Sequence, residues 1–175
     1  DAPASGHILG LLRMPQAARE TFGAGLVQRE ATKIVELLRD ATRTAVHMVT
    51  LAEESPVTET LETREQLVGR LGLPPGLVVV NRVHRRRFEA AAVARVRAEA
   101  RRRSGAERVL LEGVADCAAE ESGWAELQAG HLARLRAGLP EARLVELPFV
   151  FAEEFGAREV RALSETLEDA AGGAP

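Results

Sequence analysis

Seven residues, Asp1-Ala2-Pro3-Ala4-Ser5-Gly6-His7, group side chains suited to phosphate chemistry. A carboxylate at the end of a buried strand can hold Mg²⁺ directly or through water, because Mg²⁺ is a hard ion that prefers oxygen. Gly6 allows close approach of the backbone to a γ-phosphate. Pro3 and the small residues leave the segment free to change shape when that phosphate departs. The same residues also read as a surface turn after a strand. Ser5 and His7 do not read as nucleophile and base, since no G-x-S-x-G elbow surrounds Ser5.

Two further segments carry candidate binding groups. Asn81 ends a valine-rich run and is followed by Arg82. Its carboxamide offers a donor and an acceptor, matching the edge of adenine, or it caps the strand end as an Asx turn. Pro148, Phe149, Val150 and Phe151 can wall a base pocket, or plug the space under a final helix. From Arg82 to Arg103 there are nine Arg against Glu89 and Glu99, with Phe88 as the one interleaved aromatic. That composition favours a solvated, salt-bridged face over a nucleic-acid surface. His47, His84 and His131 read as strand, surface and helix-stripe histidines, and no pair has zinc spacing. No G-x-x-x-x-G-K-[ST] occurs in the 175 residues, and Lys33 has no glycine near it. The phosphate-gripping segment is therefore expected upstream of Asp1.

The elements that must position these groups follow from periodicity. His7–Met14 reads as a short helix stopped near Pro15, after a loop over residues 1–6. A second helix spans about Gly25–Asp40. Thr44–Leu51 reads as a strand buried on both faces. Ser55-Pro56 opens a helix whose apolar marks are Val57, Leu61, Val68 and Leu71. Leu77–Val80 is the clearest strand. Residues 85–103 form an Arg-rich helix. Residues 106–138 form another, with Leu110, Val114, Trp124, Leu127 and Leu135 near one stripe and Ser122-Gly123 as a possible break. The acidic stretch of this second helix (Glu107 to Glu121) can pair with the basic one as a hairpin. Leu144–Leu147 is a last strand and Arg158–Leu167 a closing helix. Strands alternating with helices predict an α/β fold with a mostly parallel sheet. In such sheets ligands bind outside the carboxyl ends of strands, where Asp1–His7, Asn81-Arg82 and Pro148–Phe155 all fall.

A chain of 175 residues, 46% hydrophobic and 28% charged, suits one sizeable core. One domain over 1–168 is expected, with a short helical insert at about 15–43 and a flexible tail over 169–175. The net charge of −3 gives no bulk attraction to nucleic acid. Cys117 is the only cysteine, which excludes an intrachain disulfide or a CxxC metal site. With no leading signal segment, it favours a cytoplasmic location.

Taken together, the segments resemble the ArsA-like ATPases, the arsenite-pump and tail-anchored-protein-targeting family within the deviant-Walker P-loop class. Asp1-Ala-Pro-Ala-Ser-Gly-His7 is similar to that family's D-A-P-A-T-G-H switch II loop, and Leu9-Gly-Leu-Leu-Arg-Met-Pro15 to the L-R-L-L-x-x-P that follows. Pro56-Val-Thr-Glu-Thr60 resembles its P-x-x-E-T helix, Val78-Val-Val-Asn-Arg-Val83 its V-V-N-x-V adenine motif, and Leu147-Pro-Phe-Val-Phe151 its late adenine loop. The resemblance implies the C-terminal half of an ATPase that hydrolyses ATP with Mg²⁺ as a dimeric switch. Asp1 would organise the metal. Ser5, Gly6 and His7 would report the γ-phosphate. Asn81 and Arg82, with Pro148, Phe149 and Val150, would hold adenine. It also implies a paired subunit and a membrane-protein client or anion-pump partner. The alternative is a non-catalytic regulatory or dimerisation partner with a degenerate phosphate site. Two family devices are missing from the residues: Cys117 cannot form the paired zinc site or a multi-cysteine arsenite site, and Met14 and Met48 are too few for a methionine-rich groove.

Overall fold

The computed structural model describes residues 5–172. In chain order it contains α1 (Ser5–Thr21), α2 (Leu26–Arg39), β1 (Val46–Leu51), α3 (Glu54–Arg64) running into a π-helical turn (Glu65–Arg70), and β2 (Pro75–Val83). These are followed by α4 (Ala90–Ala100), α5 (Gly105–Gly138), β3 (Leu144–Pro148) and α6 (Ala157–Gly172). The strands form a parallel sheet in the order β1-β2-β3, flanked by helices, so the expected α/β class holds. The chain divides into two compact units, and the divide crosses the strands. The first takes in the chain up to Thr50, Glu54–Val79 and Leu135–Val145; the second takes in Leu51–Glu53, Val80–Arg134 and the chain from Glu146.

In the first unit, Leu9, Leu67, Leu71 and Leu73 form a buried cluster, with Leu12, Leu38, Val46 and Met48 packed against it. This packing explains why α1 does not stop at Pro15, as expected, but continues to Thr21. Proline removes one helical hydrogen bond and crowds the preceding turn. Here the turns on either side are anchored. Leu9 and Leu12 sit in the core before Pro15, and Gln16 Oε1 accepts from Arg39 Nη2 at 3.2 Å after it. The π-helical turn closes with Leu71 N–H donating to the Gln66 carbonyl, five residues back. It is capped by Gly72 at φ 68°, a left-handed position that suits glycine. Leu67, rather than the expected Val68, enters the core.

β2 is the central strand, and its Val78 and Val80 are fully buried, as the valine run predicted. β1 departs from the expectation of burial on both faces. Its residues alternate between partly buried and exposed, and Val49 is 72% exposed. It is an edge strand of this sheet, and alternation is how a half-buried strand reads. Gly76 meets β1 closely, where Leu77 N–H donates to His47 Nδ1 at 3.0 Å.

In the second unit the Arg-rich helix begins at Ala90 rather than near residue 85, because the backbone of His84 is held elsewhere. The α4–α5 hairpin carries one of the expected cross-pairs, Arg97 Nη2 to Asp116 Oδ1 at 2.9 Å. Helix α5 is continuous through Ser122-Gly123, since Ser122 Oγ donates back to the Ala118 carbonyl and leaves the ladder intact. Its buried stripe is Ala125, Gln128, Leu132 and Leu135, spaced 3-4-3. Of the expected stripe Leu135 is buried, but Leu110, Val114, Trp124 and Leu127 are exposed. Helix α6 extends beyond the expected Leu167 to Gly172.

The close approach at Gly76 gives a direct test. A Cβ there would lie 2.8 Å from His47 Nδ1 and 2.9 Å from the Val46 carbonyl oxygen. The imidazole can swing away, but the backbone oxygen can retreat only if β1 moves. Gly76→Ala should therefore destabilise the protein by about 1–3 kcal/mol in urea unfolding. An unchanged midpoint would show that β1 is not held at that distance.

Candidate functional site

The carboxyl ends of β2 and β3 meet in the second unit. Phe149 N–H donates to the Val83 carbonyl at 2.9 Å, so the segment after β3 is hydrogen-bonded to the last residue of β2. The Arg82 guanidinium lies over the Phe149 ring, 5.4 Å from its centroid, a favourable cation–π distance. Arg82 itself has φ 58°, a left-handed conformation that a non-glycine residue rarely adopts. Asn81 Oδ1 accepts the Arg82 N–H at 2.9 Å. This contact is to the next residue, one short of the i+2 amide that an Asx turn takes, and among the described residues one Oδ1 lone pair and both Nδ2 hydrogens have no other partner.

Helix α5 supports this edge from one side. Gln128, 6% exposed, accepts the His84 N–H at 2.7 Å through Oε1 and donates to the Arg82 carbonyl at 3.3 Å through Nε2. These two partners fix which end of the carboxamide is oxygen. His84 stacks on Phe149 at 4.5 Å and lies 6.2 Å from Trp124, with interplanar angles of 24° and 28°. Its Nδ1 is 2.8 Å from Glu121 Oε2, and both side chains are largely buried. Where Glu121 is a carboxylate it has no proton to give, and Nδ1–H is then the donor. Glu121 Oε1 is buried without a hydrogen-bond partner among the described residues. Phe151 packs edge-on to Phe149 at 4.8 Å, with the Arg87 guanidinium 4.7 Å from its own centroid. A groove of about 910 Å³ opens beside these rings, lined by Phe88, Leu110, Val114, Cys117 and Trp124 among others.

Of the expected site residues, Arg82 and Phe149 are in direct contact. Asn81 contacts the Arg82 backbone, and Pro148 and Val150 flank Phe149 in the chain. Asp1 lies outside the described residues, as do Ala2, Pro3 and Ala4. Ser5 opens α1, and Gly6 and His7 are exposed helical residues in the first unit. The expected loop through residue 6 is corrected there: helix begins at Ser5, because the apolar run from Ile8 to Leu12 propagates backward once Leu9 is buried. Among the described residues, a Cβ at Gly6 would meet nothing within 4 Å. Among the described residues, no group of three His, Cys, Asp or Glu could hold a metal ion.

Sequence reading missed His84, Glu121, Trp124 and Gln128. His84 was expected on the surface, but the aromatic rings and Glu121 enclose it. Gln128 left one usable signal, a polar residue inside the 3-4-3 apolar stripe of α5. Further along, Glu159 at the start of α6 is buried and accepts from Arg158 and from Gly156 N–H. The Arg158 hydrogen bond first, and the backbone amide second, hold its carboxyl below the ordinary glutamate value.

No family model matches the chain. ATPase BagA of Mycobacterium tuberculosis is 42% identical over 82 residues, which cover 47% of this chain and 24% of that protein. A Mycobacterium bovis protein with the provisional name ATPase Mb3704 matches to the same extent. The matched stretch is thus about a quarter of the length of these curated relatives. No helix among the described residues is long and apolar enough to cross a membrane.

Two outcomes follow from the charges at this site. His84→Leu removes the donor from a buried carboxylate and should cost about 3 kcal/mol in thermal or urea unfolding, and His84→Leu with Glu121→Leu should recover most of that loss. Equal losses in the single and double variants would mean that the rings, not the ion pair, set the stability. Because the folded pKa of Glu159 is lowered, its stabilisation is full above the ordinary glutamate value and is lost as pH falls through the folded value. Melting temperatures from pH 7 down to below about pH 4 should fall more steeply for the parent than for Glu159→Gln.

Proposed function

We propose that this chain is the base-reading and switch-bearing part of an ArsA-like ATPase that hydrolyses ATP with Mg²⁺ as a dimeric switch. The observation that carries the reading is the junction of the two strand ends. Asn81-Arg82 and Phe149 come together outside the carboxyl ends of adjacent parallel strands, the place where open α/β sheets bind ligands. The relatives named as ATPases point the same way.

The donor set at the junction fits adenine. After accepting the Arg82 N–H, the Asn81 carboxamide still has an acceptor lone pair and two donors, the complement of the N6 and N7 edge. The Arg82 guanidinium, backed by Phe149, offers a flat surface for stacking. Pro148 and Val150 complete the adenine loop in this proposal. Mg²⁺ would balance charge on the triphosphate. Its proposed organiser, Asp1, lies outside the described residues, so no step is derived through the metal. Ser5, Gly6 and His7 are proposed to report the γ-phosphate, on the likeness of residues 1–7 to the switch II loop. No P-loop pattern lies in the 175 residues, so the proposal takes the phosphate-gripping lysine from elsewhere in the full-length protein. Pairing with a second subunit and a membrane-protein or pump partner belong to the same proposal.

In the full-length protein, Asn81→Ala should weaken ATP binding by about tenfold while leaving GTP binding nearly unchanged, as measured by calorimetry. Equal affinities for ATP before and after the substitution would remove Asn81 as the adenine reader.

A further inference from the structure

We infer that Gln128 is a positioning residue for base recognition, holding the Asn81-Arg82 turn in its base-facing form and tying it to helix α5. The inference rests on the adenine reading of Asn81. Three observations combine here. Arg82 occupies a left-handed conformation, φ 58°, which non-glycine residues keep only where the surroundings impose it. The carbonyl of that residue and the amide two residues on are both bound by one side chain, Gln128, at 3.3 Å and 2.7 Å. That side chain is 94% buried by its 6% exposure, in a stripe otherwise formed by Ala125, Leu132 and Leu135.

A carboxamide that bonds residue i and residue i+2 of one segment fixes the peptide planes between them. The planes so fixed are 82–83 and 83–84; the Arg82 N–H lies in the preceding plane, and with Arg82 kept at φ 58° that plane presents the N–H to Asn81 Oδ1 at 2.9 Å, which orients the Asn81 carboxamide. The same planes set the Arg82 guanidinium over Phe149. The link also runs the other way. Gln128 lies one helical turn from Trp124 and two from Glu121, which contact His84. Nucleotide at the strand end and any change along this face of α5 therefore act on the same three-residue segment, 82–84. Phe149 does not supply this constraint, since its N–H bonds the Val83 carbonyl while the Arg82 carbonyl accepts from Gln128.

The test uses the full-length protein and the ratio of GTP to ATP dissociation constants from calorimetry. Three variants are compared with the parent: Gln128→Met, Asn81→Ala and the two combined. Gln128→Glu serves as a second probe, because it can still accept the His84 N–H but cannot donate to the Arg82 carbonyl. Hydrogen exchange of the amides of residues 82–84 is followed in parallel. The expected result is a fall of about tenfold in the ratio for Gln128→Met and Gln128→Glu, faster exchange at 82–84, and no further fall in the combined variant. If Asn81→Ala collapses the ratio while both Gln128 variants leave it intact, the inference fails and the adenine reading stands. If the Gln128 variants weaken ATP and GTP equally, Gln128 is merely structural and the inference fails. If Asn81→Ala leaves the ratio unchanged, the adenine reading fails and takes the inference with it.

Discussion

Where β2 stops being a strand, its backbone still needs partners, and a buried amide or carbonyl without one costs about 1–3 kcal/mol. Gln128 meets this need at Arg82 and His84, and Phe149 meets it at Val83. Every other feature of the junction depends on that arrangement. With the backbone held, Arg82 can remain left-handed, Asn81 can fold onto its neighbour, and His84 is delivered among the rings. The Arg-rich helix must then begin only at Ala90, after the segment that Gln128 has claimed.

The aromatic cluster illustrates how charge is accommodated in an apolar setting. His84 and Glu121 are both largely buried, and each is acceptable there because of the other. Phe149 stacks on the imidazole at 4.5 Å, Trp124 lies roughly parallel to it at 6.2 Å, and Nδ1 meets the carboxylate. Two guanidinium groups, Arg82 and Arg87, lie on phenylalanine rings and so combine positive charge with apolar contact. Other arginines of this stretch form exposed pairs, such as Arg103 with Glu99 and Glu107, whose worth in water is small.

Much of the architecture was legible because its causes are local. The valine run of β2, the helix over Leu26–Arg39 and the alternation of strands with helices all write their period directly into the chain. The pairing of the strand-end segments followed from the parallel-sheet rule rather than from any residue. The errors came where local rules were overridden. Proline at position 15 is a helix breaker on its own, but core packing before it and a hydrogen bond after it carry α1 through. Serine and glycine at 122–123 look like a break, yet the hydroxyl returns to its own helix. Large apolar residues suggest a stripe of α5 through Leu110, Val114, Trp124 and Leu127, but the structure buries Ala125, Gln128 and Leu132 and keeps Leu135 of the expected set.

The sequence by itself determined the α/β class, the central strand, and the residue types that meet outside the strand ends. Those follow from period and composition, which need no knowledge of distant contacts. The tertiary structure alone decided that Arg82 is left-handed, that His84 is enclosed, and that Gln128 bonds the chain 46 residues before it. The reason is physical. A polar side chain has no preference for a remote backbone group until packing removes water from both, and only then does the unmet hydrogen bond become costly enough to choose its partner.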